Sequence, residues 1–392
     1  MKNLDTSLPF TLLLGILVAL PALGTDLYVP ALPEVSRTLD APVGATQATL
    51  TMYFVGLAGG QLVWGPLSDR YGRKPVLALG LGTLLVCSLA AAAAASVNAV
   101  AVARVGQGLG AASGALIGRT IVRDLYSHEQ AARLLARMTV VFSIVPVTAP
   151  LCGALLLQAG SWPSIFIAMA LVSGLLLVAI WRLEETAPVE RRSMHPARIV
   201  RTFAAILGDR RFIAPFLLIL CAQVGILAWV SNSSFTLVRG LGVPVVAFGL
   251  MFALVMLGQI GGAWSSSRLV MRLGIGRLLR AGTTLMMAAG VAAAALAWAG
   301  AAHWLAVVAP FAVFLFGTAL IVPNAMAAAL TPFPHAAGSA ASLIGAVGFA
   351  SGAVISTALG AAFDGSARPM ATAAALAGIA AFGLNRWKAS TP

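Results

Sequence analysis

GLAGGQLVWGPLSDRYGRKPVLALGLGTLLVC, residues 56–87, is two apolar runs joined by one charged knot, Asp69-Arg70-Tyr71-Gly72-Arg73-Lys74. The runs extend to 43–67 and 75–96, each close to the roughly 20 mainly apolar residues that cross a hydrocarbon core. The pattern recurs along the chain. Runs bounded by charge, Pro or Gly predict spans at 8–30, 43–67, 75–96, 98–122, 134–158 and 161–182, then at 211–237, 243–266, 277–300, 302–326, 337–363 and 367–386. The expectation is an all-α polytopic membrane protein with twelve transmembrane helices in two six-helix pseudo-repeat bundles.

Composition agrees. Sixty per cent of the 392 residues are apolar and 9% are charged, against about 25% charged in a soluble domain. A soluble enzyme of this hydropathy would have no surface to show to water. The net charge of +13 suggests nucleic acid in a soluble protein; in a membrane protein it is the Lys/Arg excess of cytoplasmic loops. With both termini inside, Arg37, Arg239 and Arg368 fall in outward loops and Arg104 and Arg119 within a span, and every other basic residue is cytoplasmic. Cys87, Cys152 and Cys221 lie far apart in apolar stretches, with no metal or disulfide spacing, and read as small core residues. Lys2, the apolar run Leu12–Leu20 and Ala22-Leu23-Gly24 imitate a signal peptide. Cleavage there would detach Asp26 from its helix, so an uncleaved first span is expected.

Three regions follow: a six-helix bundle over 1–182, a cytoplasmic linker over 183–210 and a second bundle over 211–392. The linker carries Glu184, Glu185, Glu190, Arg191 and Arg192, then Ile199, Phe203 and Ile206 beside Arg198 and Arg201, an amphipathic pattern suited to the membrane interface. The halves repeat weakly. Gly60-Gln61-Leu62-Val63-Trp64-Gly65 ends span two and Gly258-Gln259-Ile260-Gly261-Gly262 ends span eight, each before a basic loop. Such a repeat is the sequence sign of a rocking transporter.

Asp26 is the one acid placed inside a span, where a charge costs at least about 2.5–3.5 kcal/mol. A carboxyl meeting that cost takes up a proton, which suits proton coupling; the other reading is a cap at the end of helix one before Pro30 and Pro33. Arg104 sits at similar depth in span four. Arginine keeps its proton, so it is either a fixed charge for Asp26 or a polar substrate, or a structural donor to backbone carbonyls. Gly108, Ala112 and Ala115 lead from it to Arg119, and Gly15, Ala19 and Ala22 lead to Asp26; both small-residue faces fit close packing or a cavity. Pro146 and Pro150, with Gly153 beyond, interrupt span five as a hinge or an ordinary bend. In the second half the candidates are uncharged: Gln223, Trp229, Asn232 and Phe235 in span seven and Asn324 in span ten. Aromatics with a few amides suit a weakly polar amphiphile. Gly106–Gly118 contains no Gly-Lys-Ser/Thr run, so ATP is not the expected energy source.

Gly65-Pro-Leu-Ser-Asp69-Arg70-Tyr-Gly72-Arg73-Lys74 resembles the signature loop between spans two and three of the major facilitator superfamily. Gly24-Thr-Asp26-Leu-Tyr28-Val-Pro30-Ala-Leu-Pro33 is similar to span one of its Bcr/CflA drug-resistance transporters. Arg104-Val-Gly-Gln107-Gly108 resembles the span-four motif of drug:proton antiporters, and Arg123-Asp124-Leu-Tyr126 and Phe333-Pro334-His-Ala-Ala-Gly338 resemble further Bcr/CflA strings. The span-five motif departs: Ala149 precedes Pro150 and Ala154 follows Gly153, where the family has glycines. The resemblance implies alternating access and proton-driven export of bicyclomycin- or amphenicol-like compounds. It gives proton coupling to Asp26 and Arg104, and gating to Gly65, Asp69, Arg70, Gly72 and Arg73. Substrate contacts are expected from Asp26, Tyr28, Tyr53, Arg104, Trp229, Asn232, Phe235 and Asn324. The protein is expected to be a monomeric carrier rather than an enzyme, in a bacterial inner membrane with both termini cytoplasmic. It is expected to use the proton gradient, small-molecule substrates and lipid, with no cofactor, metal or nucleic acid. A proton-coupled importer of a nutrient is the alternative, and a non-transporting membrane sensor the third reading.

Overall fold

The computed structural model describes residues 8–126, 128–186, 196–333 and 336–390, and among them every regular element is helical. Glu190, Arg191, Arg192, Pro334 and His335 lie outside the described residues. The chain divides into two units, one of Met1–Ala41 with Thr49–His195 and one of Pro42–Ala48 with Pro196–Pro392.

The first unit holds α1 (Leu8–Asp26), a 3₁₀ turn (Val29–Ala31), α2 (Leu32–Thr38), α3 (Val43–Tyr71, from Thr49 onward), α4 (Arg73–Ala92), α5 (Val97–Leu125), α6 (His128–Ala159) and α7 (Pro163–Trp181). The second holds α8 (Pro196–Gly208), α9 (Arg210–Ser234) continued by a π-helical turn (Phe235–Gly240), α10 (Val245–Leu273), α11 (Ile275–Trp298), α12 (Trp304–Leu330), α13 (Ala337–Ala361) and α14 (Arg368–Ser390). Twelve of these helices, all but α2 and α8, have 19 residues or more. Ten helical stretches among the described residues are also apolar enough to cross a membrane. The two others are α3, diluted by Thr46, Gln47, Thr49, Thr51 and Gln61, and α14, which begins at Arg368 and carries Asn385, Arg386 and Lys388. Helix α7 shows why the bilayer is needed. Leu171, Leu175 and Val178, 64%, 71% and 68% exposed, share one helical face that water would not tolerate and hydrocarbon covers.

Local chemistry sets the boundaries. Ser96 Oγ accepts from Ala99 N at 3.2 Å to start α5, and Asp209 Oδ1 accepts from Arg211 N at 2.8 Å to start α9. The charged knot is not a loop. Helix α3 runs through it to Tyr71, and Gly72, at φ +102°, is the single residue before α4. Gly274, at φ +77°, separates α10 from α11 in the same way, so the repeat of the two halves extends to a one-residue helix break. Helix α6 continues through Pro146 and Pro150. The cysteines are not core residues, since Cys152 is exposed and Cys87 and Cys221 are half-buried.

Helices α3 and α5 touch backbone to backbone. A Cβ on Gly108 would collide with the Tyr53 carbonyl oxygen, and one on Gly56 with that of Val105. Only glycine permits this approach. Along α1, Gly15 faces Val141 of α6, so both small-residue faces are packing surfaces here. Gly108→Ala should therefore cost about 1–3 kcal/mol by overpacking, read as a lower melting temperature in detergent. Gly59→Ala is the control: its Cβ meets nothing within 4 Å, and in a helix it should be neutral or stabilising by up to about 1 kcal/mol.

Candidate functional site

Helix α1 ends at Asp26. Thr25 Oγ1 bonds the Pro21 carbonyl at 2.8 Å, and Pro30 and Pro33 cannot donate to a continuing helix. The chain turns and buries Tyr28 completely beneath Phe166 of α7, ring centroids 5.2 Å apart. Tyr28 OH and Thr49 Oγ1 are 3.0 Å apart in a hydrogen bond. Tyr53 OH donates to the Pro21 carbonyl at 3.1 Å. The end of α1 and the turn after it are thus pinned from α3 by two hydroxyl contacts.

Between these tyrosines lies Arg104, with no solvent exposure. Its Cζ sits 3.9 Å from the Tyr53 ring centroid and 4.7 Å from that of Tyr28, a stacking in which desolvated guanidinium is worth about 2 kcal/mol or more per face. Nη1 donates to the Gly24 carbonyl at 2.9 Å and to Gln107 Oε1 at 3.1 Å. Gln107 in turn donates to Ser88 Oγ at 2.8 Å, tying the centre to α4. The opposite edge, Nε and Nη2, is buried with no hydrogen-bond partner. Asp26 is the one buried carboxylate among the described residues, 6% exposed. It forms no ion pair with Arg104, although Arg104 is bonded to the carbonyl two residues before it. The structure therefore brings Asp26, Tyr28, Tyr53 and Arg104 to one place and leaves half of the guanidinium unused. Arg119, further along α5, is exposed.

In the second unit Trp229 is fully buried between Phe252 and Phe311, at 5.6 and 5.1 Å. Asn232 Oδ1 accepts from Gln47 Nε2 at 3.0 Å, and Phe235 lies against Phe363 at 5.8 Å. Trp229, Ser233 and Thr236 share a helical face, and Trp229 Nε1, Ser233 Oγ and Thr236 Oγ1 are all buried without a hydrogen-bond partner. Asn324 stands apart: its Nδ2 donates to Ser266 Oγ and the Leu320 carbonyl, both at 2.8 Å, joining α12 to α10.

The charged knot forms its own network. Arg73, 6% exposed, donates through Nη1 to Asp69 Oδ1 at 2.5 Å and Ser68 Oγ at 2.9 Å, and through Nε to Asp124 Oδ2 at 2.9 Å. Ser68 Oγ in turn donates to the Gly65 carbonyl at 2.9 Å, while Arg70 stands outside the network, resting over the Tyr71 ring at 5.2 Å. Gly153 of α6 packs against the Leu27 carbonyl and Pro30, so it borders the turn after Asp26. Sequence reasoning missed Thr49 and Ser88, for which it offers no signal, and Ser68 stood unremarked inside the signature loop. Gln107 and Asp124 stood only inside motif strings.

Ten helical stretches long and apolar enough to cross a membrane, with no strand among the described residues, define a multi-pass membrane protein. The sequence matches the Major Facilitator Superfamily over residues 14–357; the chain belongs to this family of transporters. It is 32% identical over 382 residues to a bicyclomycin resistance protein homolog of Haemophilus influenzae, covering 94% of this chain and 93% of the relative. It is 28% identical to multidrug resistance protein D of Escherichia coli, over 85% and 84% of the two chains. The crystal structure of a D-xylose-proton symporter superposes with a TM-score of 0.75 at 15% identity, covering 95% of this chain and 97% of the other. A POT family transporter does so at 0.78 and 10% identity, over 97% and 95%. These two likenesses show the fold.

Tyr53→Leu should destabilise the protein by about 2 kcal/mol or more, since it removes the stacking on Arg104. Tyr53→Phe keeps the ring and should cost only about 1 kcal/mol, the hydroxyl bond. Thermal unfolding in detergent separates the two; equal losses would mean that the ring contributes nothing through Arg104.

Proposed function

We propose that this transporter exports small, weakly polar amphiphiles, of the bicyclomycin or amphenicol kind, in exchange for protons entering through Asp26. The observation that carries the reading is a buried carboxylic acid two residues after the Gly24 carbonyl that Arg104 holds, with the Nε and Nη2 edge of Arg104 left without a partner. A neutral Asp26 fits this arrangement. On losing its proton the carboxylate would be drawn to the unused N–H donors of Arg104, the fork that arginine offers to two oxygens. Proton binding and release thus switch Asp26 between a neutral group and a paired ion, and the α1 terminus it belongs to moves with that switch. The relatives' names, a bicyclomycin resistance homolog and multidrug resistance proteins, support export over import. The buried aromatic and hydroxyl-bearing face of Trp229, Ser233 and Thr236 supports a ligand with apolar surface and a few polar atoms. The lysine and arginine distribution supports an inner-membrane orientation with both termini cytoplasmic. The protein works as a monomer on this reading, with the proton gradient in place of a cofactor, and Pro146, Pro150 and Gly153 let α6 bend.

Asp26→Asn keeps the shape and cannot titrate. In everted vesicles it should insert normally yet abolish substrate-induced proton release and lower the concentrative limit to unity. Concentrative export at the wild-type rate would remove Asp26 from the coupling role, and proton-driven flux toward the cytoplasm would identify an importer. One proton per neutral molecule moves one charge per cycle, so each 100 mV contributes about 2.3 kcal/mol. Collapsing the potential with valinomycin and potassium at fixed pH difference should then lower the limit for a neutral amphenicol; an unchanged limit would refute one-proton exchange.

A further inference from the structure

Helix α4 begins without a cap of its own. Gly72 stands at its N-cap position and has no side chain to offer the first amides. The acceptor comes from 112 residues further along the chain: Glu185 Oε1 accepts from Arg73 N at 2.8 Å. Glu185 Oε2 accepts from Lys74 N at 3.2 Å, and Oε1 also takes Thr186 N at 2.9 Å. Lys74 returns the contact, donating through Nζ to the Trp181 carbonyl at 2.7 Å. A carboxylate here also faces the positive end of the α4 dipole. Glycine at 72 is therefore required twice. It supplies the positive φ, and it leaves room for the carboxylate, since a Cβ would lie 2.5 Å from Glu185 Oε2.

Arg73 is the residue whose amide Glu185 holds and whose guanidinium binds Ser68, Asp69 and Asp124. We propose that Glu185 is a positioning residue for transport. It clasps the strand of chain leaving α7 to the first turn of α4, and so fixes Arg73 in register with the ends of α3 and α5. The corner made by α3, α4, α5 and α7 then moves as one body through the transport cycle, and loosening it slows the cycle without touching the ligand site. The inference rests on the export reading only for its turnover measurement.

The test uses full-length protein in nanodiscs and proteoliposomes, with radiolabelled chloramphenicol as the probe. In Glu185→Ala, hydrogen exchange at the Arg73 and Lys74 amides should rise about fivefold, the equivalent of one lost cap. Turnover should fall severalfold while the probe's Kd shifts by less than about twofold, the signature of an interaction outside the binding site. Glu185→Gln keeps a neutral acceptor and should show a smaller loss of both protection and rate, which carries the test if the alanine variant fails to insert. Gly72→Ala should mimic Glu185→Ala by displacing the carboxylate. Unchanged exchange in both Glu185 variants, or affinity and turnover falling together, overturns the proposal. Wild-type protein that moves no probe refutes the export reading instead, before any variant is compared.

Discussion

A guanidinium with no water around it must find its solvation in the protein, and most of the first unit is arranged around Arg104 for that reason. Two tyrosine rings cover its faces, a backbone carbonyl and Gln107 take one edge, and nothing takes the other. Leaving buried donors unpaired costs about 1–3 kcal/mol each. The glycine contact of Gly108 with the Tyr53 backbone brings α3 close enough for the ring to reach the cation, and the termination of α1 delivers the Gly24 carbonyl. Stability is thus spent on keeping a charge where it is hard to keep. Active sites and transport sites accept such costs because the strained group is the one that responds.

Much of the fold was legible because the bilayer imposes one rule on sequence, the long apolar run. That rule placed the spans within a few residues of α4, α7, α11 and α13. It misjudged places where helices outlast their apolar stretch: α3 and α10 continue through basic residues to Gly72 and Gly274, since helical hydrogen bonds need no hydrophobicity to continue past the span. Pro146 and Pro150 marked α6 for a hinge or a bend, and the helix runs on through both. A membrane helix keeps its course when its neighbours hold it.

The site was legible in part. A lone acid and an arginine in apolar surroundings announce themselves by cost alone, and both Asp26 and Arg104 are buried. Their separation into an unpaired acid and a tyrosine-stacked base could not be read, because it depends on which way α3 turns its ring toward α5. Glu185 left no trace either. It stands in a run of charged residues that reads as a polar linker, and its partners are backbone amides, which have no sequence signature.

The chain contains only four tyrosines. Tyr71 is exposed and Tyr126 is buried near the end of α5, while Tyr28 and Tyr53 both press on the same cation. Half of the phenol chromophores therefore report on one charge. Fluorotyrosine incorporated throughout the protein would give four resonances, and the two nearest the guanidinium would report its surroundings without any engineered label. The arrangement that keeps Arg104 in the membrane also makes its surroundings visible to spectroscopy.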